Sequence, residues 1–265
     1  MSKFITNDGV SISFHEYGMK SGQAVVFVNG YSASEATWLV QMGSFAKSGF
    51  HVITYDHRSH GHSDKVDYGL TVQRLALDLR ELTENLRLEQ PVFIGHSMGA
   101  TVLFAYEQMF TDKELLALVT EDQAPCFLRN PDWLDGQGLD FAGLEKFMND
   151  FPEMHLTKKA LPDELKRELG ESLLAFDFQL GRPLLQNILT QDFRTTLVQE
   201  AVPHLFLAGS GSPTSPTAHA KAALALTHNS LSQAEIFEGC GHLLHLEDAE
   251  KFDAVVKHFI ERVKK

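Results

Sequence analysis

The chain is short of cysteine, of positive charge and of long apolar runs, and each shortage excludes a class of protein. Only two cysteines, Cys126 and Cys240, occur in 265 residues, which is too few for the disulfide framework of a small secreted domain. Lysine and arginine number 23 against 35 aspartates and glutamates, so the net charge is −12. Such a surface lacks the basic excess that binds nucleic-acid phosphates or anionic membranes, so neither is an expected partner.

No segment has the length and apolar character of a membrane-spanning helix, and residues 1–7 lack the apolar core of a signal peptide. The scarcity of cysteine also suits a reducing compartment. We therefore expect a cytoplasmic protein, either a monomer or a homodimer. With 43% hydrophobic and 22% charged residues, the chain suits one α/β domain that has room for an insertion.

What the sequence does contain is an alternation of short apolar runs with helical stripes. Residues 4–6, the turn Asn7-Asp8-Gly9 and residues 10–14 predict an opening β-hairpin. Helical spacing of apolar residues follows later, in residues 72–86, 102–110 and 252–263. The predicted buried strands are Val25–Val28, Val52–Tyr55, Val92–Ile94, Leu115–Val119, His204–Ala208 and Ala234–Phe237. Strands that are apolar on both faces, with helices between them, predict a doubly wound parallel sheet.

The alternation stops between Pro125 and Pro203, where the pattern is helical and contains no convincing strand. We predict a core formed by residues 1–124 and 201–265, with a helical cap inserted at 125–200. The cap can be a subdomain with its own small core and also a lid whose inward aromatics bind an apolar substrate, with different residues serving each role. Its large apolar residues include Phe141, Leu144, Phe147, Phe151, Leu173, Phe176, Phe178 and Leu180.

A G-x-S-x-G pattern, Gly95-His96-Ser97-Met98-Gly99, lies between a strand-like run at 91–94 and the helical run at 102–110. Strand, tight glycine turn and helix together are typical of a nucleophile elbow. The small neighbours permit a strained turn, and the helix N-terminus favours developing negative charge. We predict that Ser97 is a catalytic nucleophile.

A serine hydroxyl is a weak nucleophile and needs a base that takes its proton. The segment Gly239-Cys240-Gly241-His242 directly follows the last predicted strand and precedes the final helix. His242 is the expected base, because it would reach the carboxyl edge of the sheet, where Ser97 also lies. His245 is assigned to the following turn, and Cys240 lacks an elbow and is expected to pack.

Over essentially its whole length the chain resembles the α/β-hydrolases of the esterase, haloperoxidase and proline-iminopeptidase-like group. The resemblance implies an α/β-hydrolase fold: a mostly parallel eight-stranded sheet with helices on both faces and a helical cap inserted after strand 6. The segments that carry it are Val28-Asn29-Gly30-Tyr31, Asp56-His57-Arg58-Ser59-His60-Gly61-His62-Ser63, the elbow at Ser97, and Gly241-His242-Leu243-Leu244-His245-Leu246-Glu247.

The resemblance also implies an oxyanion hole made of two backbone N–H groups, those of Met98 and Tyr31. Asn29-Gly30 replaces the His-Gly pair of the family, a change that a backbone donor tolerates. Three histidines, His57, His60 and His62, invite a zinc site, but their spacing is unlike a helical zinc motif and the family uses this loop as a structural turn. We expect neither a metal nor a cofactor.

The acid of the triad departs from the family pattern. The family aspartate after the strand His204–Ala208 falls on Ser212, whose hydroxyl cannot stabilise an imidazolium as a carboxylate does. The neighbouring strand is followed by Asp122-Gln123-Ala124-Pro125, which resembles an Asp-Gln-Ser-Pro variant in a subgroup that also has serine in the later loop. We predict Asp122 as the acid, with Glu121 as the second candidate.

These residues predict a cofactor-independent carboxylesterase that acts on small, apolar acyl esters. Serine in the elbow disfavours dehalogenase chemistry, whereas lactonase, thioesterase and aminopeptidase activities remain open. An aminopeptidase needs carboxylates in the cap to bind an amine, and the candidates are Glu145, Asp150, Glu153 and Asp177. The rival from another class is a ligand receptor with little turnover, which the serine at position 212 favours.

Overall fold

A computed structural model of the chain describes residues 1–133, 139–173 and 176–265. Within the predicted cap, residues 134–138 and 174–175 and the side chains of Ser172 and Leu173 lie outside the described part.

Eight strands form one sheet in the order β1-β2-β4-β3-β5-β6-β7-β8. The β1–β2 and β2–β4 pairs are antiparallel and the remaining pairs are parallel. The opening hairpin and the mostly parallel sheet are therefore confirmed. The strands are β1 (Ser2–Ile5), β2 (Ser11–Gly18), β3 (Ala24–Val28), β4 (His51–Tyr55), β5 (Val92–His96), β6 (Ala117–Glu121), β7 (His204–Gly209) and β8 (Gln233–Phe237).

Helices cover both faces of this sheet, and short 3-10 turns occur at Glu35–Trp38 and Phe151–Glu153. The α-helices are α1 (Leu39–Lys47), α2 (Val72–Asn85), α3 (Met98–Phe110), α4 (Phe141–Asp150), α5 (Asp163–Leu173), α6 (Phe178–Leu189), α7 (Arg194–Gln199), α8 (His219–Leu224), α9 (Leu244–Glu247) and α10 (Ala249–Val263). Among the described residues, none of them is long and apolar enough to cross a membrane.

The apolar strand residues divide between two cores, one on each face of the sheet. Phe93 and Leu118 face α2 and α3, whereas Ile94 and Val119 face α1 and α10. Alternate residues of a strand point to opposite faces, so an apolar run buries both. Each large apolar side chain buried in this way stabilises the fold by about 1.5–3 kcal/mol.

The end of β6 differs from the sequence prediction in a way that matters for the site. The strand was predicted at 115–119 and lies at Ala117–Glu121. Leu115 belongs to a turn, since its N–H donates to the carbonyl of Asp112 at 2.8 Å. The last strand residue, Glu121, pairs in register with His96, the last residue of β5. Residue 122 therefore lies beside the elbow on the neighbouring strand.

Between β6 and β7 the described residues form α4 to α7 and only isolated β-bridges. Leu144 and Phe151 are buried there, and they pack in the same core as α2 and α3. Phe141, by contrast, is 77% exposed at the start of α4. The cap boundaries at 125 and 200 stay predictions.

Candidate active site

Ser97 occupies the turn between β5 and α3. Its backbone has φ 53° and ψ −119°, a strained combination that costs a non-glycine residue about 1–3 kcal/mol. A Cβ on Gly95 would lie 2.6 Å from the carbonyl carbon of Gly99, and a Cβ on Gly99 would lie 2.1 Å from the carbonyl oxygen of Val28. Glycine is therefore required on both sides. The Ser97 side chain makes no capping hydrogen bond to α3, and Ser97 lines a cavity.

His242 lies in the loop between β8 and α9, which is tied to the segment between β6 and β7. Its backbone N–H donates to the carbonyl of Leu156 at 2.7 Å. The carboxylate of Glu247 accepts the N–H of Gly241 at 3.0 Å and the N–H groups of residues 158–159 at 2.7 and 2.8 Å. We call these backbone hydrogen bonds, the one to Leu156 and those to Glu247, the Glu247 clasp. They fix the histidine loop through backbone groups.

Asp122 directly follows β6, with a left-handed φ of 52° and a completely buried side chain. Its Oδ2 lies 2.6 Å from Nδ1 of His242, and its Oδ1 accepts the N–H of Gly209 at 2.9 Å. Because a carboxylate can only accept, Nδ1 carries the proton and Nε2 is free to act as a base. The structure thus brings together the two residues that the sequence proposes as acid and base.

Ser212, at the family position of the acid, contacts Asp122 instead of the histidine. Its hydroxyl donates to Asp122 Oδ2 at 2.5 Å. Thr214 Oγ1 lies 2.8 Å from Nδ1 of His242 and 3.4 Å from Asp122 Oδ2. The loop after β7 therefore supplies hydroxyls around a carboxylate that comes from the neighbouring strand.

Glu121, the second candidate for the acid, binds His245 instead of His242. The two carboxylate oxygens of Glu121 lie 2.8 and 2.9 Å from Nδ1 of His245, and Oε1 also accepts the His245 backbone N–H at 3.1 Å. Nε2 of the same ring lies 2.9 Å from the hydroxyl of Thr37. All three side chains are buried. Thr37, His245 and Glu121 form a second hydrogen-bonded chain, which we call the inner relay.

Burial sets the charge states of the inner relay. It lowers the pKa of His245 to about 3, so this ring is neutral at neutral pH. It raises the pKa of Glu121 to about 7, against the opposing influence of His96 and of the His245 N–H. Glu121 therefore changes charge near neutral pH.

The two residues expected to supply the oxyanion donors, Tyr31 and Met98, line the same cavity as Ser97. Met98 is the first residue of α3, where N–H groups have no partner within the helix. Tyr31 follows Gly30, and a Cβ on Gly30 would lie 3.3 Å from Cβ of Ser97. The Tyr31 ring packs edge-on against Phe176, with ring centres 4.9 Å apart.

Two small cavities meet at Ser97. The first, the cap cavity, has a volume of about 20 Å³, and its apolar wall is formed by Phe127, Phe147, Phe151, Leu185, Ile188 and Leu189. The second, the histidine cavity, has a volume of about 90 Å³ and is lined among others by Thr37, His96, Leu156, His242, Leu243 and Leu246. A larger hollow of about 620 Å³ lies away from Ser97, along residues 16–24 and 85–89.

The histidine-rich loop is built around Asp56. Its carboxylate accepts the N–H groups of Glu35 and His62, both at 2.8 Å. His57 and His60 are buried, whereas the side chain of His62 is 64% exposed. Within residues 1–133, 139–173 and 176–265, the one group with metal-ligand spacing lies elsewhere and consists of Glu107, Glu200 and His204.

Neither cysteine has the environment of a nucleophile. Burial raises the pKa of Cys126 to about 11 and raises that of Cys240 as well. Both thiols are therefore protonated at neutral pH.

A family model described as "Alpha/beta hydrolase family" matches residues 25–255. The chain belongs to the α/β hydrolase family. This α/β hydrolase has the fold of an esterase from Exiguobacterium antarcticum, with a TM-score of 0.88 at 21% identity over 98% of the chain and 99% of that structure.

Two curated relatives extend the comparison. The α/β hydrolase is 38% identical over 106 residues to a non-heme chloroperoxidase of Streptomyces lividans, a match that covers 40% of the chain and 38% of that protein. It is 24% identical over 266 residues to 3-oxoadipate enol-lactonase 1 of Acinetobacter baylyi, which covers 99% of the chain and 98% of the relative.

Three contacts at the site of this hydrolase are not among the predictions made from the sequence. These are the hydroxyls of Ser212 and Thr214 against Asp122 and His242, and the attachment of Glu121 to His245. A hydroxyl residue in a glycine-rich loop carries no signature of its own. The single available signal was the Glu121-Asp122 pair, because successive residues at a strand end point to opposite faces.

Proposed function

We propose that the protein is a serine carboxylesterase in which Ser97, His242 and Asp122 form the catalytic triad. The observation that carries the proposal is the 2.6 Å contact between Asp122 Oδ2 and His242 Nδ1. It supplies the carboxylate that the serine at position 212 lacks. It also removes the reason for preferring a receptor without turnover.

In the proposed reaction, Ser97 Oγ attacks the ester carbonyl carbon while Nε2 of His242 accepts the hydroxyl proton. The N–H groups of Tyr31 and Met98 bind the oxyanion, and Asp122 stays ionised and stabilises the imidazolium. When the intermediate collapses, His242 returns the proton to the leaving alcohol. Water then attacks the acyl-enzyme by the same route and releases the acid.

The two cavities support separate binding places for the alcohol part and the acyl part of the ester. The histidine cavity contains His242, the group that protonates the leaving alcohol, so it takes the alcohol part. The cap cavity adjoins Met98 and is walled by phenylalanine, leucine and isoleucine, so it takes the acyl part. A volume of about 20 Å³ favours a short acyl chain.

The carboxylates considered for amine binding support an aminopeptidase less well. Glu145 pairs with Arg182 at 2.7 Å, Asp150 pairs with Lys146, and Asp177 accepts two N–H groups at the start of α6. Glu153 is exposed.

Lactone hydrolysis is the second candidate. The enol-lactonase of A. baylyi aligns with 99% of the chain, and a lactone is an ester whose alcohol stays attached to the acyl group. The same triad would open it.

A fluorophosphonate probe, followed by mass spectrometry of the labelled peptide, tests the nucleophile. We expect rapid labelling at Ser97 and hydrolysis of p-nitrophenyl acetate, with both lost in Ser97→Ala. Parallel assays of short alkyl esters and five-membered lactones separate the two candidate functions. Folded protein that is neither labelled nor active on either class would overturn the proposal.

A further inference from the structure

We propose that Glu107, Glu200 and His204 bind a divalent transition-metal ion, with zinc as the best match, at a site outside the proposed catalytic triad. The residues belong to α3, to the segment between α7 and β7, and to the first position of β7. A ligand atom of each residue lies within 4.8 Å of the ligand atoms of the other two. Carboxylate oxygens and an imidazole nitrogen are donors that zinc accepts in proteins. The sequence alone does not predict this site, because Glu107 lies far from the other two residues in the chain.

The two glutamates are buried without the donors that a buried carboxylate needs. Glu107 is 7% exposed and Glu200 is 6% exposed. Among the described residues, no N–H or O–H group donates to either oxygen of Glu107 or to Oε2 of Glu200. A carboxylate in this position is strongly disfavoured unless a cation or a proton compensates its charge. A metal ion between the two side chains would supply that compensation.

His204 is held in the orientation of a third ligand. Its Nε2 lies 2.9 Å from Oγ1 of Thr120, and its Nδ1 lies 2.6 Å from Oε1 of Glu200. The ring stacks on Phe206, with ring centres 3.8 Å apart. Without a metal, Nδ1 donates to Glu200, because a carboxylate can only accept. A bound ion would replace that hydrogen, and Nε2 would donate to Thr120, the kind of outer contact that orients a ligating histidine.

A surface hollow with a volume of about 340 Å³ lies next to the cluster and is lined by Glu107 and Glu200. It has room for water molecules that complete the coordination of an ion with three protein ligands. The three unpartnered oxygens are themselves buried, so an ion that enters from the hollow reaches them when a side chain rotates. We therefore expect binding to need a long incubation.

The position of the cluster in the fold indicates a role in stability. Asp112, just after α3, already accepts the N–H groups of Ala201 and Val202 at 2.5 and 2.9 Å, which holds the segment before β7 beside α3. A metal ion would add a second link between the same parts. The cavities at Ser97 are lined by other residues. Bound zinc should therefore raise the stability of the protein without taking part in ester hydrolysis.

The test starts from protein that has been treated with EDTA, transferred to metal-free buffer and then incubated overnight with zinc chloride. Mass spectrometry of the desalted protein counts the bound zinc, and titration calorimetry gives the dissociation constant. We expect one zinc ion per chain. At a zinc concentration of about 100 times the dissociation constant, the midpoint of thermal unfolding should rise by roughly 5–10 °C.

Variants assign the ion to the residues named. Glu107→Gln keeps the size of the side chain, and its amide N–H can donate to Oε2 of Glu200, so this variant should fold without metal. Zinc should bind to it at least about 100-fold more weakly than to the wild type, and Glu200→Gln should show the same loss. Gln108→Ala is the matched control, since Gln108 is an exposed residue of α3 that lines the same hollow. It should bind zinc like the wild type.

The outcomes separate the metal site from the proposed function. If the wild-type protein takes up no zinc, the two carboxyl groups share a proton and the metal site is wrong. If zinc binds equally well to Glu107→Gln and Glu200→Gln, the ion is held by other side chains, and the site is wrong as well. Labelling of Ser97 in the zinc-free protein is a separate measurement. Its failure would overturn the proposed esterase and leave the metal site standing.

Discussion

At the scale of single residues, the carboxylate of Asp122 is held by donors from two parts of the chain, the end of β7 with the loop that follows it and the loop of His242. Gly209, Ser212 and His242 all donate to it. Removing its charge leaves His242 in the wrong tautomer and its charged form unstabilised, which can cost about 10⁴ in turnover. We expect Asp122→Asn to approach that loss in kcat with p-nitrophenyl acetate.

Ser212→Ala is the matched control for Asp122→Asn. It removes one donor to the carboxylate and leaves the charge, so we expect a loss of about ten-fold or less. If Asp122→Asn keeps more than a tenth of wild-type activity, another carboxylate serves His242. Asp122 would then have only a structural role at the strand end.

The strained backbone of Ser97 gives a second residue-scale prediction. At φ 53° alanine is as strained as serine, whereas glycine adopts positive φ without a steric cost. Ser97→Gly should therefore unfold at a higher temperature than Ser97→Ala, by an amount equivalent to about 1 kcal/mol, and both should be inactive. Calorimetry of the two variants measures this, and a lower midpoint for Ser97→Gly would show that the strain relieved is smaller than the entropy cost of glycine in the unfolded chain.

At the scale of secondary-structure elements, α6 decides how deep the acyl side of the site is. Leu185, Ile188 and Leu189 of α6 wall the cap cavity. Shortening Ile188 to alanine should move the preferred acyl chain about one to three carbons longer, because each methylene accommodated contributes up to about 0.8 kcal/mol. A series of p-nitrophenyl esters from acetate to octanoate measures the shift.

Val198→Ala is the control for this series, since Val198 is a 45% exposed residue of α7. It should leave the chain-length profile unchanged. If Ile188→Ala leaves the profile unchanged as well, α6 does not bound the acyl site.

The secondary-structure elements also show how much of the fold and of the site can be predicted from the sequence. The strands β3 to β8 follow from apolar runs, because a parallel sheet buries both faces of each strand. Ser97 and His242 follow from glycine turns at strand ends. The direction of Glu121 could be anticipated from strand alternation, but its partner could not. His245 lies 124 residues away, in a four-residue helix whose position depends on the completed sheet.

At the scale of the whole molecule, buried histidines make stability depend on pH. Their pKa values are lowered by burial, to about 4 for His60 and His219 and to about 3 for His245. In the unfolded chain each titrates near its ordinary value of about 6.5. Between these values the unfolded state binds more protons, so the free energy of unfolding falls as pH falls below 6.5. The histidines concerned are His57, His60, His96, His219 and His245.

Two buried glutamates oppose this trend. Burial raises the pKa values of Glu107 and Glu121, so their contribution is present in full below about pH 4.5 and is lost as pH rises. The five buried histidines outnumber the two glutamates. Each proton that the unfolded state binds in excess of the folded state changes the free energy of unfolding by about 1.4 kcal/mol per pH unit. Urea unfolding at pH 8, 7, 6 and 5 should show the highest stability near neutral pH and a steep fall from pH 7 to pH 5. A flat profile between pH 7 and 5 would contradict the buried, neutral state of these rings.

The Glu247 clasp limits how the segment at 156–159 can move. The segment at 156–159 shares its backbone hydrogen bonds with the loop that carries His242. That segment cannot move outward without breaking the backbone hydrogen bonds that hold the loop of His242, the proposed base. If His242 is the base, an opening on this side would interrupt turnover. The clasp would then act as an interlock between the position of this segment and the position of the base.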